Sequence, residues 1–437
     1  MMQSFAVVTL GCKTNQFESA AIREQMLQAG YRSVPFEEGA DLVIVNTCTV
    51  TANTDSQSRN LIRRARRLND AARVVVTGCY AQVDASALAG LPGVALIVGN
   101  QEKEDFLSRL TALDDDVPRI QVSDIRAAQQ AKPLPLTSFD QRSRAFVQIQ
   151  NGCDAFCSYC IIPYARGRSR SVSLPDVVSQ VERLIAAGYP EIVLTGIHIG
   201  GYGQDLTPAT SLLNLLKQLR QETGVQRLRL GSIEPTELPD QFLDYVTTQA
   251  WICPHFHIPL QSGCDAVLER MNRHYSSAYF KKLLQKIRAR RNDAAIGLDL
   301  IVGFPGETDA EFEQTCDLLR ELPVTHLHVF PYSQRPGTPA AGMPGQVAGD
   351  IRKQRAAVLR QIGAQKQAEF LRTFVGKTVE VVVEHGESDG QLKGLSAHYL
   401  PVLLTDARPG ELVEVQVSTA TSQGLYGTPL RSAAEKN

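Results

Sequence analysis

Cys153, Cys157 and Cys160 lie within eight residues, in the stretch Asn151-Gly-Cys-Asp-Ala-Phe-Cys-Ser-Tyr-Cys160. Only nine of the 437 residues are cysteine, so two more at set offsets would follow a given one by chance on the order of once in a few thousand. Three thiolates this close can hold three corners of an iron–sulfur cluster and leave the fourth iron free for another ligand. The plainer uses are a zinc knuckle, a reduced structural set or a disulfide. Zinc normally takes a fourth ligand nearby, and the strongest neighbour, His198, is far off in sequence. Three further cysteines, Cys12, Cys48 and Cys79, each follow a short apolar run: Ala6-Val-Val-Thr-Leu-Gly11, Leu42-Val-Ile-Val-Asn-Thr47 and Val74-Val-Val-Thr-Gly78. If those runs are parallel strands of one sheet, the three thiols converge at its carboxyl edge, where ligands of such sheets bind. That would be a second cluster site with one open iron. Three independent core cysteines are the bland alternative, since free cysteine is commonly buried.

The surrounding pattern supplies the elements that such sites need. Helical stretches, Gln16 to Ala29 and Ser56 to Leu68, alternate with the first runs, which predicts a parallel α/β sheet. Asp114-Asp-Asp-Val-Pro118 and Ala127 to Pro135 read as linkers. From about Arg144 come six candidate strands: Ala145–Gln150, Glu191–Thr195, Arg227–Gly231, His255–Leu260, Ala295–Val302 and His326–Pro331. Helical stretches beginning at Leu174, Thr210, Pro239, Ser276 and Asp309 fall between them. Six β/α units suggest a partial (β/α)6 barrel, whose chemistry sits at the carboxyl ends of the strands. The cysteine triplet begins just after the first strand. A helix from Asp350 to Phe374 leads to β-type runs at Val379–Glu384, Leu400–Thr405 and Leu412–Val417, with glycine-rich turns, which read as a small β-barrel. The expected class is α/β with an all-β end, and the expected domains are 1–115, 139–372 and 374–435.

Composition narrows the function classes. The hydrophobic fraction is 43% and the charged fraction 21%, as in ordinary soluble globular proteins. A net charge of −1 supplies no global field for nucleic acid, so RNA contact must use local basic patches. No apolar run approaches the roughly 20 residues of a membrane helix, and Met1–Phe5 lacks the basic region of a signal peptide. An odd cysteine count without a secretory signal argues for metal ligands in a reducing cytoplasm.

The motifs resemble the radical S-adenosylmethionine (radical SAM) methylthiotransferases over nearly the whole chain. The matching pieces are Leu10-Gly-Cys-Lys-Thr-Asn-Gln16, Asn46-Thr-Cys-Thr-Val50, Thr77-Gly-Cys79, Asn151 through Gly167, Leu194-Thr-Gly196, Ser232-Ile-Glu-Pro235, Pro259-Leu-Gln-Ser-Gly263 and Asp299-Leu-Ile-Val-Gly-Phe-Pro-Gly-Glu307. Within the family, Gly11 to Glu18 and Asn46 to Thr51 are most similar to the branch that modifies N6-threonylcarbamoyladenosine beside the tRNA anticodon. Sister branches act on isopentenyl-adenosine in tRNA or on a ribosomal-protein aspartate. The resemblance implies an N-terminal methylthiotransferase domain, a radical SAM core and a C-terminal TRAM domain. It implies that Cys153, Cys157 and Cys160 hold a radical-generating 4Fe-4S cluster, and that Cys12, Cys48 and Cys79 hold an auxiliary one that carries the sulfur. Two S-adenosylmethionine molecules serve each turnover, one as methyl donor and one as source of the radical that takes hydrogen from C2 of the adenine. That C–H is neither acidic nor electrophilic, so the work falls to cofactors.

The resemblance also implies partners: tRNA, an electron donor such as flavodoxin or ferredoxin, and a sulfur source. No membrane partner is expected, and a monomer is. Candidate cofactor contacts are Tyr159, Gly196, Glu234, Gln261 and Ser262. For Glu234 a structural ion pair is the competing role. Arg63, Arg66 and Arg67, on one helix with Arg59 and Arg64, and Arg166 and Arg168, after the triplet, are the candidate RNA-facing residues. A solvated helix face is the alternative. Cys253 and Cys316 read as core or partly buried thiols, and Cys264 stands where many relatives carry serine, a small near-isostere that need not disturb cofactor binding.

Overall fold

A computed structural model describes residues 3–110, 119–132, 134–139, 142–388 and 391–430. The first apolar runs form β1 (Ser4–Thr9), β3 (Leu42–Thr47) and β4 (Arg73–Gly78), joined by β2 (Arg32–Ser33), β5 (Val94–Val98) and β6 (Arg119–Gln121). All pair in parallel, in the order β2-β1-β3-β4-β5-β6. The middle strands are apolar without alternation because helices cover both faces. Phe5, Leu42, Ile44 and Val75 pack with Ile22 and Met26 of α1 (Lys13–Gln28). Val43, Val45, Val74 and Val76 pack with Ile62 and Ala65 of α2 (Ala52–Leu68). The expected linker Asp114–Pro118 lies outside the described residues.

The second unit is the expected partial barrel. β7 (Arg144–Gln148), β10 (Glu191–Thr195) and β11 (Leu228–Leu230) form one parallel sheet. β12 (His255–His257), β13 (Ala295–Val302) and β14 (His326–Pro331) form another. Parallel bridges Leu228 to Ile252 and Ser232 to His257 join the two. A short antiparallel pair, β8 (Gln150–Asn151) and β9 (Arg170–Ser171), brackets the cysteine loop.

The helix Gly349–Arg372 leads to a closed barrel of five strands, β15 (Thr378–Ser388), β16 (Gln391–Ser396), β17 (Pro401–Leu404), β18 (Leu412–Thr421) and β19 (Gly424–Pro429). Val381, Val383, Val402, Leu404, Val415 and Leu425 fill it. It seats on the amino-terminal side of the larger barrel. Arg227 and Arg229, both bonded to buried Glu191, reach the carbonyls of Leu395, Ser396 and Ala397, and Arg144 pairs with Glu384. Among the described residues, no helix is long and apolar enough to cross a membrane.

Candidate cluster sites and the pocket between them

Cys12, Cys48 and Cys79 follow β1, β3 and β4 at the carboxyl edge of the first sheet. β1 and β3 flank the point where strand order reverses, the usual ligand crevice of doubly wound sheets. Gly11 (φ +101°) and Gly78 (φ +98°) turn the chain there in left-handed backbone. A β-carbon on Gly11 would lie 2.9 Å from the Cys48 sulfur, and one on Gly78 2.3 Å from the Thr47 carbonyl oxygen. Side-chain-free backbone thus lets the loops close on one another. Burial pushes the Cys48 thiol up to about 12, and Cys79 beside it adds to the rise. A thiolate here needs a positive centre.

Arg166 brings part of that charge. Its buried guanidinium donates from Nε to the Cys79 sulfur at 3.2 Å and from Nη2 to Asn15 Oδ1 at 2.5 Å, and it bonds both oxygens of Glu18. Lys103 pairs with Glu18 at 2.5 Å. Burial alone would raise the Glu18 carboxyl, but Arg166 and Lys103 hold it at about 2. The expectation that Arg166 faces RNA is therefore corrected: it is fully buried, spent on a carboxylate and a sulfur. Its neighbour Arg170 is buried as well, and Arg168 alone of that run is exposed.

Cys153, Cys157 and Cys160 lie in the loop after β8. Asn272 Nδ2 donates to the Phe156 carbonyl at 3.1 Å, and Ser158 N to the Met271 carbonyl at 3.0 Å, which clamp that loop. Arg273 donates from Nη1 to the Cys157 sulfur at 3.3 Å and pairs with Glu234. Each trio thus has one sulfur facing a buried arginine, and each arginine has its own glutamate. His198, remote in sequence, comes to 3.8 Å from the Cys153 sulfur through Nδ1 and to 2.8 Å from Glu237 through Nε2. Burial opposes its charge, but Cys153 and Glu237 raise it to about 10. Burial also pushes Cys160 up to about 12.

The donor sets fit clusters better than zinc. Tetrahedral zinc with sulfurs at ~2.3 Å draws them to about 3.8 Å of one another. Among the described residues only His257, His326 and His328 bring three candidate ligand atoms within 4.8 Å of each other, so neither cysteine trio does. A cluster spreads its thiolates over separate irons and takes the wider triangle.

Between the trios lies a pocket of about 250 Å³, lined by Val50 and Thr51 just past Cys48, by Tyr159 and Cys160, and by Gln261 and Asp299. A larger cavity of about 580 Å³, against α1 and Phe139, is lined by none of the six cysteines. Arg335 holds the Cys48 loop to the barrel through Thr49 Oγ1 and Asp55 Oδ2, both at 2.6 Å. Tyr159 and Gln261 face the pocket, and Gln261 does so in left-handed backbone (φ +66°), a strain that collects at functional sites. Gly196 packs under the loop, where a β-carbon would lie 2.9 Å from the Gln150 carbonyl oxygen. Glu234 is engaged with Arg273, in the ion pair that is its competing role. Ser262 is turned away: its buried hydroxyl contacts Thr315 Oγ1 at 3.4 Å and accepts the Cys264 N–H at 3.2 Å.

On α2, Arg63 and Arg67 are exposed. Arg66 leans on Gly93 and the Ala72 carbonyl, Arg59 bonds Tyr80 Oη at 2.8 Å, and Arg64 pairs with Glu37. Sequence reasoning missed Arg273, Lys103, Glu237 and Arg335. Each acts through a partner tens to hundreds of positions away, which leaves no local signal.

A partial barrel with a C-x3-C-x2-C loop after its first strand carries the marks of a radical SAM protein, and the model of the Radical SAM superfamily matches residues 147–319. The model described as Uncharacterized protein family UPF0004 matches residues 4–99, and the TRAM domain model residues 372–430. The chain is 39% identical to threonylcarbamoyladenosine tRNA methylthiotransferase MtaB of Bacillus subtilis, over 96% of this chain and 94% of that one. It is 32% identical to a tRNA-2-methylthio-N(6)-dimethylallyladenosine synthase of Maricaulis maris, over 97% and 96%. The chain belongs to the radical SAM methylthiotransferase family. Its fold is similar to that of a radical S-adenosylmethionine methyltransferase, TsrM, from Kitasatospora setae, at a TM-score of 0.57 and 19% identity over 78% of this chain and 77% of that one.

Proposed function

We propose that this protein methylthiolates C2 of N6-threonylcarbamoyladenosine next to the tRNA anticodon, giving 2-methylthio-N6-threonylcarbamoyladenosine. The observation that carries the reading is the 250 Å³ pocket whose walls come from both cysteine sites, the loop after Cys48 and Cys160 itself. Cys153, Cys157 and Cys160 would hold one 4Fe-4S cluster, and Cys12, Cys48 and Cys79 the other. Bound there, the clusters and two molecules of S-adenosylmethionine per turnover supply the electron, the radical chemistry, the sulfur and the methyl group.

The chain's own residues do the rest. Arg166 and Arg273 donate N–H groups to a ligand sulfur in each trio. Tyr159 and Gln261 shape the pocket. Glu18–Arg166 and Asp55–Arg335 fix the first sheet against the barrel, so the two sites stay at one separation. Arg63, Arg67 and Arg168 are exposed cations suited to RNA phosphates, and the small barrel supports an RNA partner. An electron donor such as flavodoxin or ferredoxin and a sulfur source complete the reaction, in a reducing cytoplasm, with the enzyme a monomer of three domains (1–115, 139–372, 374–435). The greater identity to the Bacillus protein than to the Maricaulis one favours the threonylcarbamoyl substrate.

The test is a nucleoside digest of tRNA from a strain lacking the gene. The 2-methylthio-N6-threonylcarbamoyladenosine should vanish and its unthiolated precursor accumulate, and wild-type gene should restore it where Cys48→Ala and Cys157→Ala do not. Persistence of the methylthio nucleoside refutes the substrate.

A further inference from the structure

The inner face of the larger barrel carries a cluster that the cysteine chemistry leaves unused. In parallel register, His257 on β12 pairs with Gly297 on β13, Gly297 with His326 on β14, and Asp299 with His328 one row further on. Residues in register share a face. The alternate residues Ile296, Leu298 and Leu300 enter the core, so the histidines and Asp299 point into the lumen. The three imidazoles bring a ligand atom each within 4.8 Å of the other two.

Their hydrogen bonds settle what they offer. Thr325 Oγ1 accepts the Ile296 N–H at 3.0 Å and lies 3.0 Å from the Ile296 carbonyl and 3.1 Å from His326 Nδ1. With the hydroxyl proton turned to that carbonyl, the oxygen accepts from Nδ1–H of the His326 imidazole. In that tautomer a lone pair sits on His326 Nε2, which is buried and without a partner. A carboxylate only accepts, so the 2.9 Å contact of His257 Nε2 with Asp299 Oδ1 puts a proton on Nε2, and the neutral ring then keeps its lone pair on Nδ1. Metal-bound histidines are oriented in this way, by an acceptor on the nitrogen that does not bind. Gly297 keeps the space open, since a β-carbon there would lie 2.0 Å from His326 Nε2.

We propose that His257, His326 and His328 bind one divalent transition ion of the zinc class, with Asp299 and Thr325 orienting two of the rings. Imidazoles select zinc, copper, nickel or ferrous iron over magnesium or calcium. Three protein ligands leave one position for water or a substrate oxygen. Lys13 and Arg229 bring positive charge to the same lumen, where both stand over the Tyr399 ring. Glu191, bonded to Arg229, and Asp299 offset it. An anion would meet lone pairs and a carboxylate, so the cluster suits a cation.

The test uses the iron-loaded holoenzyme, so that the cysteines are engaged. After incubation with zinc and gel filtration, one zinc per chain should remain with iron per chain unchanged. X-ray absorption at the zinc edge should show nitrogen at about 2.0–2.1 Å. His328→Ala, at an exposed position that does not threaten folding, and His326→Ala should each cut retained zinc by at least about tenfold. No zinc on the wild type overturns the site, as does equal retention by both variants, or sulfur ligands at about 2.3 Å with loss of iron. None of these outcomes touches the tRNA digest, so the two readings fail separately.

Discussion

Glu18→Gln removes one charge and little shape from the buried knot between the first sheet and the barrel. The native carboxyl is held at about 2 against an ordinary 4.5 by Arg166 and Lys103. At about 1.4 kcal/mol per pH unit, that depression stabilises the fold by roughly 3 kcal/mol at neutral pH. Removing one partner of a buried pair costs a similar ~3–5 kcal/mol, because the cations left behind stay buried without their anion. A depressed carboxyl contributes fully above its unfolded value and loses that contribution as pH falls through its folded one. Wild type and variant should thus differ by about 3 kcal/mol at pH 7 and converge between about pH 4.5 and pH 2. A chain of several domains does not unfold in two states. The assay is therefore amide hydrogen exchange in α1, which carries Glu18, and in the helix Ile162–Arg166, on metal-free full-length protein kept reduced. Protection within about 0.5 kcal/mol of wild type at pH 7 refutes the reasoning. So does a difference that persists unchanged near pH 2.

Two further outcomes rest on other charges. Arg273→Met strips a charged N–H donor from the Cys157 sulfur, a loss that disfavours the reduced cluster by on the order of 1.4 kcal/mol, so the potential of that centre should fall by about 60 mV. An electron paramagnetic resonance titration of iron-replete variant measures it, and an unmoved potential rules out the hydrogen bond as a tuning device. Arg63→Glu with Arg67→Glu should weaken tRNA binding across all sequences and reduce its salt slope by about one for each phosphate no longer neutralised. An unaltered slope removes α2 from the RNA path.

How far the chain can be read depends on where each signal resides. Leu42–Thr47 and Ala295–Val302 match their predicted bounds, because central parallel strands write their burial into consecutive apolar residues. Val94–Val98 is as apolar and as buried, yet no cysteine stands at its end to mark it. In the small barrel, β16 fills a stretch expected to be a glycine-rich turn, and β19 follows the last of the expected runs. Gly394 and Gly427 sit inside those strands, where a β-carbon would strike Val381 and the Gln416 carbonyl, a sign of close approach in a tightly curved sheet. At the cluster sites, cysteine type and spacing carry the reading. The electrostatics do not follow from them, since Arg166 looks like a surface cation until Glu18, 148 positions away, is beside it.

The seating of the small barrel has a further effect on how a long ligand is handled. Arg144, Arg227 and Arg229 bolt it to the underside of the larger one, so it cannot swing on a tether. A polymer gripped by such a jig is presented at one fixed reach from the reaction pocket.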